Sequence, residues 1–182
     1  EGGQAIVDTA MEAFGRVDIL INNAGILRDK SLVKMAPEDW DAVRNVHLDG
    51  AYYVTQPAFK IMKAQGYGRI VMTTSAAGLF GNFGQTNYSA AKMALVGFMN
   101  TLKLEGRKYD VKVNTVAPIA TTRLTEDILP PDMKAKMQPE HVSPLVLYYC
   151  WEGCEETGQI VNAGAGFFSR AALVTSPGTV VG

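Results

Sequence analysis

Short apolar segments alternate with longer helical patterns along this chain of 182 residues. Apolar segments without polar alternation are typical of strands buried on both faces of a parallel sheet. A helix between two such segments supplies the crossover that parallel strands need. The alternation therefore predicts an α/β fold of Rossmann type, a doubly wound parallel sheet covered by helices. The predicted strands lie at 17–22, 68–75, 110–118 and 158–164.

The helical spacing of apolar residues predicts the elements between these strands. One helix covers residues 2–14, and a long one runs from Pro37 to Gly66 with a kink at Pro57. Proline at the first turn and glycine after the last are the usual helix boundaries. Three further helices are predicted, at 87–108, near 125–137 and at 139–153, and no firm structure is assigned to 167–182.

The first residues lack the parts with which a dinucleotide-binding fold begins. Such a fold needs a first strand, a glycine-rich turn that brings backbone N–H groups to a pyrophosphate, and a residue that reads the ribose. Neither Gly2-Gly3 nor Gly164-Ala165-Gly166 follows a strand and opens a helix. We therefore expect one domain over residues 1–182 that begins inside the helix before the fourth strand and lacks its first three strands.

Composition excludes several classes of partner. The formal net charge is −1 and the isoelectric point about 6.2, so no basic field favours nucleic acid. No apolar run is long enough to cross a bilayer, and the first residues do not resemble a signal peptide, so we expect a cytoplasmic protein without a membrane partner. Cys150 and Cys154 are predicted to be reduced structural thiols, and no metal site is predicted.

The strongest chemical signal is Ser75 followed by Tyr88 and Lys92. Residues i and i+4 share one helix face, so Tyr88 and Lys92 can meet near a common substrate. A free phenol titrates near pH 10, and a neighbouring ammonium favours its phenolate. Ser75 ends a predicted strand, where parallel α/β sheets open their ligand crevice. The set predicts a tyrosine that acts as a general acid or base on an oxygen held by Ser75.

Three motifs together resemble the short-chain dehydrogenase/reductase family: Asn22-Asn23-Ala24-Gly25, the Ser75…Tyr88-x-x-x-Lys92 set, and Asn114-x-x-x-Pro118. The resemblance implies that Tyr88 is the catalytic acid/base, that Lys92 lowers its pKa and holds the nicotinamide ribose, and that Ser75 positions the reacting oxygen.

The same resemblance implies the residues that hold the cofactor. Asn23, Ala24 and Gly25 would contact its adenosine side. The segment from Pro118 to Thr122 is similar to the loop that holds the nicotinamide carboxamide, with Thr122 as the hydroxyl partner. Ile119 stands where most family members have glycine, which is a departure from the pattern. We expect NAD as the cofactor and leave NADP open.

His47 is a second departure from the family pattern. It stands where the family usually has asparagine as the fourth catalytic residue, whose main-chain carbonyl orders a water. A histidine can serve there if the helix keeps its local distortion. The alternative is that His47 is an ordinary packing residue on a mostly buried helix.

Longer stretches around these motifs resemble one branch of the family, the (3R)-hydroxyacyl-CoA dehydrogenases of peroxisomal multifunctional enzymes and their bacterial single-domain relatives. These stretches are VHLDGAYYVTQPA, YGRIVMTTSAAGLFGNFGQTNYSAAK and SPLVLYYCWEGCEETGQI. The resemblance implies NAD-dependent oxidation of a (3R)-3-hydroxyacyl-CoA to the 3-oxoacyl-CoA. It also implies a peroxisomal location if the chain is part of a longer polypeptide.

Three alternatives stay open at this point. An NADPH-dependent 3-oxoacyl (carrier-protein) reductase, or another carbonyl reductase, would run the chemistry in the opposite direction, and steroids or other secondary alcohols could replace the thioester. A non-catalytic fragment or assembly partner would instead leave strand 17–22 as an exposed apolar edge.

The two longest predicted helices carry apolar residues over more than one face. Leu95, Phe98, Met99 and Leu102 are among them. Because the family pairs these helices across a two-fold axis, the resemblance implies a homodimer or homotetramer.

Overall fold

The computed structural model describes residues 2–120, 134 and 136–180. Its helices and strands follow the order that the sequence predicts, with the additions noted below. Most of the segment 125–137, where a helix is predicted, lies outside the residues that the structure describes. The helices are α1 (Gly2–Phe14), α2 (Pro37–Arg44), α3 (Gly50–Gln65), α4 (Ala76–Phe80), α5 (Thr86–Gly106) and α6 (Ser143–Cys150). The strands are β1 (Ile19–Asn22), β2 (Gly68–Thr73), β3 (Val111–Pro118), β4 (Ile160–Gly164) and β5 (Phe167–Ala171).

The strands form one sheet in the order β1-β2-β3-β4-β5. The pairs β1–β2, β2–β3 and β3–β4 are parallel, and β4–β5 is antiparallel. Every residue of β2 is buried, as continuous apolar runs in a parallel sheet require. The predicted α/β fold of Rossmann type is confirmed.

Strand β1 lies at one edge of this sheet. Its Ile19 and Ile21 side chains are 46% and 44% exposed, so the strand presents an apolar edge rather than a covered one. Helix α1 packs beside α3 at a close approach, because a Cβ on Gly3 would lie 2.3 Å from the Tyr53 carbonyl oxygen. Among the described residues, no helix is long and apolar enough to span a membrane.

The tail is more ordered than the sequence predicts. Gly164 pairs with Phe167, so the two residues between them close a tight antiparallel hairpin. Ala165 and Gly166 both have positive φ, 50° and 75°, as a two-residue hairpin turn of this hand requires. Asparagine, aspartate or glycine usually marks the first position of such a turn, and alanine does not. The prediction of no firm structure for this part of the tail was therefore wrong.

The broad apolar surface of helix α5 is explained largely by burial within this chain. Leu95, Met99 and Leu102 are at most 7% exposed and belong to the core between α5 and the sheet. Phe98 is only partly buried. These three side chains therefore pack within the chain, and the subunit contact expected for the two long helices stays a prediction.

The long helical pattern after Pro37 is interrupted at Asn45–Asp49, which forms a π-helical turn, and not at Pro57, which lies inside continuous α3. In that turn the Gly50 N–H donates to the Asn45 carbonyl, five residues earlier. Such turns add one residue to a helix and are frequent at functional sites. The local distortion expected around His47 is present.

Candidate active site

The predicted site residues gather at the carboxyl ends of three neighbouring parallel strands. β1 ends at Asn22, directly before Asn23-Ala24-Gly25, which we call the NNAG turn together with Asn22. β2 ends at Thr73, two residues before Ser75, and β3 ends at Pro118. Because these strands are adjacent and parallel, their ends share one edge of the sheet, where ligands bind in open α/β folds.

Ser75 is the N-cap of the short helix α4. Its backbone is extended, and its Oγ accepts a hydrogen bond of 3.2 Å from the Ala77 N–H. The Ser75 side chain also lies close enough to the Tyr88 phenol to favour its phenolate. The two candidate catalytic oxygens are therefore neighbours at the site.

Lys92 lies one helical turn after Tyr88 on α5 and is 3% exposed. Its Nζ donates a 2.6 Å hydrogen bond to the Thr73 carbonyl and lies 5.6 Å from the centre of the Tyr88 ring. Burial lowers the pKa of Lys92 from 10.5 to about 8. At neutral pH the ammonium is still charged, and it lies close to the phenol.

The pKa of Tyr88 is nevertheless raised above 10. Burial is the largest cause, the nearby Ser75 hydroxyl works in the opposite direction, and the negative charge of Asp29 adds to the rise. Without a cofactor, the chain therefore keeps Tyr88 as a neutral phenol at neutral pH. A further positive charge beside the ring would be needed to favour the phenolate, and oxidised nicotinamide has the required sign.

His47, in the π-helical turn, is 3% exposed, and its side chain faces the NNAG turn. Its Nε2 lies 3.0 Å from the Ile26 nitrogen and 2.8 Å from the Ile26 oxygen. Its ring meets the Tyr88 ring edge-on at 5.2 Å between centroids. Burial, with the nearby Lys92 charge, lowers the pKa of His47 to about 4, so the imidazole is neutral at physiological pH.

The NNAG turn needs glycine for space and not for backbone conformation. A Cβ on Gly25 would lie 2.5 Å from Cε1 of His47, which is closer than side-chain contacts allow, while Gly25 is not among the residues with positive φ. Asn23 accepts a hydrogen bond of 3.0 Å from the Thr73 hydroxyl, and Asn22 donates one of 2.9 Å to the Thr55 hydroxyl. Side chains from α3, β2 and the π-helical turn therefore fix the NNAG turn.

The described residues fit a nicotinamide cofactor. A cleft of about 570 Å³ lies at the β1 edge between α1 and α3; it borders Asn23 and Ala24, while Ser75, Tyr88 and Lys92 lie outside its lining. The Lys92 ammonium has three donors, and the only acceptor bonded to it in the described part of the chain is the Thr73 carbonyl. Pro118 ends β3 at the same edge, and the Ile119 N–H after it donates to the Ala163 carbonyl at 2.8 Å. The predicted carboxamide partner, Thr122, lies outside the described residues.

Several side chains that support the site were missed by sequence reasoning. Thr74 donates a 2.7 Å hydrogen bond from its hydroxyl to the Lys92 carbonyl. Gly78 lets α4 approach α5 closely, since its Cβ would lie 2.8 Å from the Lys92 Cβ. Asn87, directly before Tyr88, is 2% exposed and bonded on both sides of its amide. A polar residue next to the tyrosine was the only available signal, and it does not distinguish a surface residue from a buried one.

The fold and the arrangement of the site define a class of protein. The family model described as short chain dehydrogenase matches residues 1–131, and the chain belongs to this family. Family membership implies a nicotinamide cofactor, NAD or NADP.

Within the family, the chain is similar to the peroxisomal multifunctional enzymes. It is 49% identical to peroxisomal multifunctional enzyme type 2 of Mus musculus over all of this chain and 25% of the relative. It is 53% identical to peroxisomal multifunctional enzyme A of Dictyostelium discoideum over 98% of this chain and 40% of the relative. The chain thus spans a quarter to two fifths of the length of these relatives.

A solved structure gives the same result for the fold. The crystal structure of a short chain dehydrogenase from Mycobacterium avium matches with a TM-score of 0.86 and 35% identity. The match covers 98% of this chain and 63% of that one.

Proposed function

We propose that this protein oxidises a (3R)-3-hydroxyacyl-CoA to the 3-oxoacyl-CoA with NAD. The observation that carries this proposal is the meeting of Ser75, Tyr88 and Lys92 at one end of the sheet, with the Lys92 ammonium 5.6 Å from the centre of the Tyr88 ring. We propose further that residues 1–182 belong to one domain of this kind.

In this mechanism the Ser75 hydroxyl holds the substrate oxygen beside the Tyr88 phenol. Tyr88, as its phenolate, accepts the proton of the substrate hydroxyl. A hydride leaves the carbon that bears this hydroxyl, so the alcohol becomes a ketone. NAD supplies the hydride acceptor and a positive charge beside the phenol. Lys92, held by the Thr73 carbonyl, provides a second positive charge, which favours the phenolate. Asn23, Ala24, Gly25 and Pro118 would border the cofactor, with Thr122 as its carboxamide partner.

The His47 contribution follows from its neutral ring. A neutral imidazole with an edge contact to Tyr88 adds no charge that would oppose the phenolate. Its hydrogen bonding to Ile26 fixes the segment after the NNAG turn. We propose that the His47 side chain, and not only its main-chain carbonyl, contributes to the site.

The substrate class and the setting rest on the relatives. About half of the residues are identical to two peroxisomal multifunctional enzymes over essentially the whole chain. A relative named acetoacetyl-CoA reductase, from an Acinetobacter species, is 37% identical over 92% of this chain and 72% of its own length, which supports an acyl-CoA substrate. The names of the two multifunctional enzymes favour a peroxisomal location over the cytoplasmic one.

Apolar side chains at the surface of α3 and α5 support pairing of these helices in a homodimer or homotetramer. They are Tyr52, Phe98 and Leu104, the last of which is 69% exposed.

The test is the formation of NADH from (3R)-3-hydroxybutyryl-CoA and NAD, followed at 340 nm. Tyr88→Phe should lower kcat/KM about 100- to 10,000-fold, the range of general acid–base catalysis, and leave NAD affinity by calorimetry nearly unchanged. Tyr148→Phe, a half-exposed tyrosine on α6, is the matched control and should keep full activity. Substantial turnover by Tyr88→Phe would refute the mechanism.

The same assay separates the alternatives. Faster reduction of acetoacetyl-CoA with NADPH than oxidation with NAD would favour the reductase. Absence of NAD and NADP binding in calorimetry would favour the non-catalytic role, because a chain that holds no cofactor cannot transfer hydride.

A further inference from the structure

Asn87 joins three segments of the chain at the start of α5. Its Nδ2 donates to the Arg28 carbonyl and to the Asp39 carbonyl, at 3.1 Å each. Its Oδ1 accepts a 2.8 Å hydrogen bond from the Tyr88 N–H. With 2% of its surface exposed, Asn87 cannot exchange these partners for water.

These partners fix the orientation of the amide group. Two carbonyl oxygens require the two N–H bonds of the amino group, and a main-chain N–H requires the amide oxygen. Rotating the amide by half a turn would set an oxygen against both carbonyls and an amino group against the Tyr88 N–H. Asparagine alone among side chains of this size offers two donors and one acceptor in this arrangement.

The three segments are those that carry the candidate site. Arg28 follows the NNAG turn, and Asp39 lies in the first turn of α2, which leads to His47. The Arg28 segment is also held by His47 at Ile26, and by the Lys30 N–H, which donates to the Gly84 carbonyl at 2.8 Å. Of these ties, Asn87 is the one that is hydrogen-bonded to the tyrosine backbone.

We propose that Asn87 is a positioning residue that sets Tyr88 against the segment after the NNAG turn, an inference that rests on the proposed function for its catalytic consequence. Asn87 acts through the Tyr88 backbone and touches no reacting atom. Its loss loosens segment 24–31, which stays tied at Ile26, at Lys30 and, through the Gln85 side chain, at Asp29. The phenol can then move relative to Ser75. A displacement of about 1 Å at a reacting group lowers turnover by up to about 100-fold.

The experiment compares Asn87→Asp with Asn114→Asp. Asp keeps the shape of Asn but removes both N–H donors. Asn114 is the matched control, because it is 1% exposed, donates to the Glu156 carbonyl at 2.8 Å and accepts from the Gln159 N–H at 3.0 Å, away from Tyr88. A third variant, Asn87→Ala, removes both donors without adding charge and is measured beside Asn87→Asp.

The first measurement is hydrogen exchange on the cofactor-free protein, which needs no activity. Both Asn87 variants should speed exchange in peptides covering 24–31 about tenfold, the effect of losing roughly one net hydrogen bond, while Asn114→Asp should not. This result does not depend on which substrate the protein uses. Unchanged exchange at 24–31 in an Asn87 variant would overturn the proposal.

The second measurement is steady-state kinetics with (3R)-3-hydroxybutyryl-CoA and NAD, well below the Tm of every variant. Both Asn87 variants should lower kcat about 10- to 100-fold with little change in KM for either substrate. Asn114→Asp, with a similar fall in Tm, should keep kcat within about twofold of wild type because its bonds lie far from Tyr88. Equal losses of kcat in the two Asp variants would show a merely structural role. An inactive wild type would refute the proposed function and leave the exchange result to decide the Asn87 contacts.

Discussion

Gly25→Ala tests whether the His47 ring is what demands glycine in the NNAG turn. The added methyl group would lie 2.5 Å from Cε1 of His47, where ordinary contacts are 3.4–4 Å. One of the two groups must therefore move by about 1 Å. His47 cannot yield easily, because it is bonded to Ile26 and packed against Tyr88. Overpacking of this kind costs about 1–3 kcal/mol of the free energy of unfolding.

A double-mutant cycle with His47→Ala isolates this contact. His47→Ala by itself should be destabilising, since it leaves a backbone group of Ile26 without its hydrogen-bond partner. In that background, however, Gly25→Ala should cost less than about 0.5 kcal/mol, so the coupling energy should be on the order of 1–2 kcal/mol. Urea unfolding of the four proteins provides the free energies.

Gly97→Ala on α5 is the control for the glycine substitution itself. No atom lies within 4 Å of its added methyl group, so the helix preference should raise the stability by up to about 1 kcal/mol. An equal cost of Gly25→Ala with and without the His47 ring would refute the steric reasoning.

Two further predictions concern the lysine and the tail. Lys92 has a folded pKa of about 8 against 10.5 when unfolded, so its burial penalty is full below pH 8 and is relieved as the pH rises to 10.5. Lys92→Met should therefore gain stability relative to wild type at pH 7, and urea unfolding should show this gain shrinking by about 3 kcal/mol between pH 8 and 10.5. A stability difference between Lys92→Met and wild type that does not change with pH would contradict the lowered pKa of Lys92. Ala165→Gly should raise the stability by about 1 kcal/mol in the same assay, because alanine is strained at its φ of 50°; a loss of stability would contradict the turn assignment.

The parallel part of the fold could be predicted because its signals are local. Buried strands read as continuous apolar runs, and helix ends are marked by Pro37 and Gly66. The hairpin to β5 could not be predicted, since Ala165 replaces the residues that usually mark such a turn. Helix α4 was missed for a similar reason, because it is five residues long and lies in a glycine-rich stretch.

The site could be predicted as a set of residues but not as a network. The i, i+4 spacing placed Tyr88 and Lys92 on one face, and a strand end placed Ser75 beside them. The bond from Lys92 to the Thr73 carbonyl, and the contact of His47 with Gly25, join residues 19 and 22 positions apart. Whether the pKa of Tyr88 is raised or lowered also depends on the balance between burial and neighbouring groups. Only the folded chain shows that burial is the larger effect and raises the pKa.

The π-helical turn at Asn45–Asp49 sets a limit on how the chain can tolerate insertions and deletions. A regular helix advances 100° per residue, so one extra residue turns every side chain before the turn relative to those after it. Deleting any one of the five would restore a regular helix and bring either α2 or α3 out of phase with the core. Val43 lies before the turn and Ala51 after it, and both are buried. After such a deletion the two side chains could no longer both face the core.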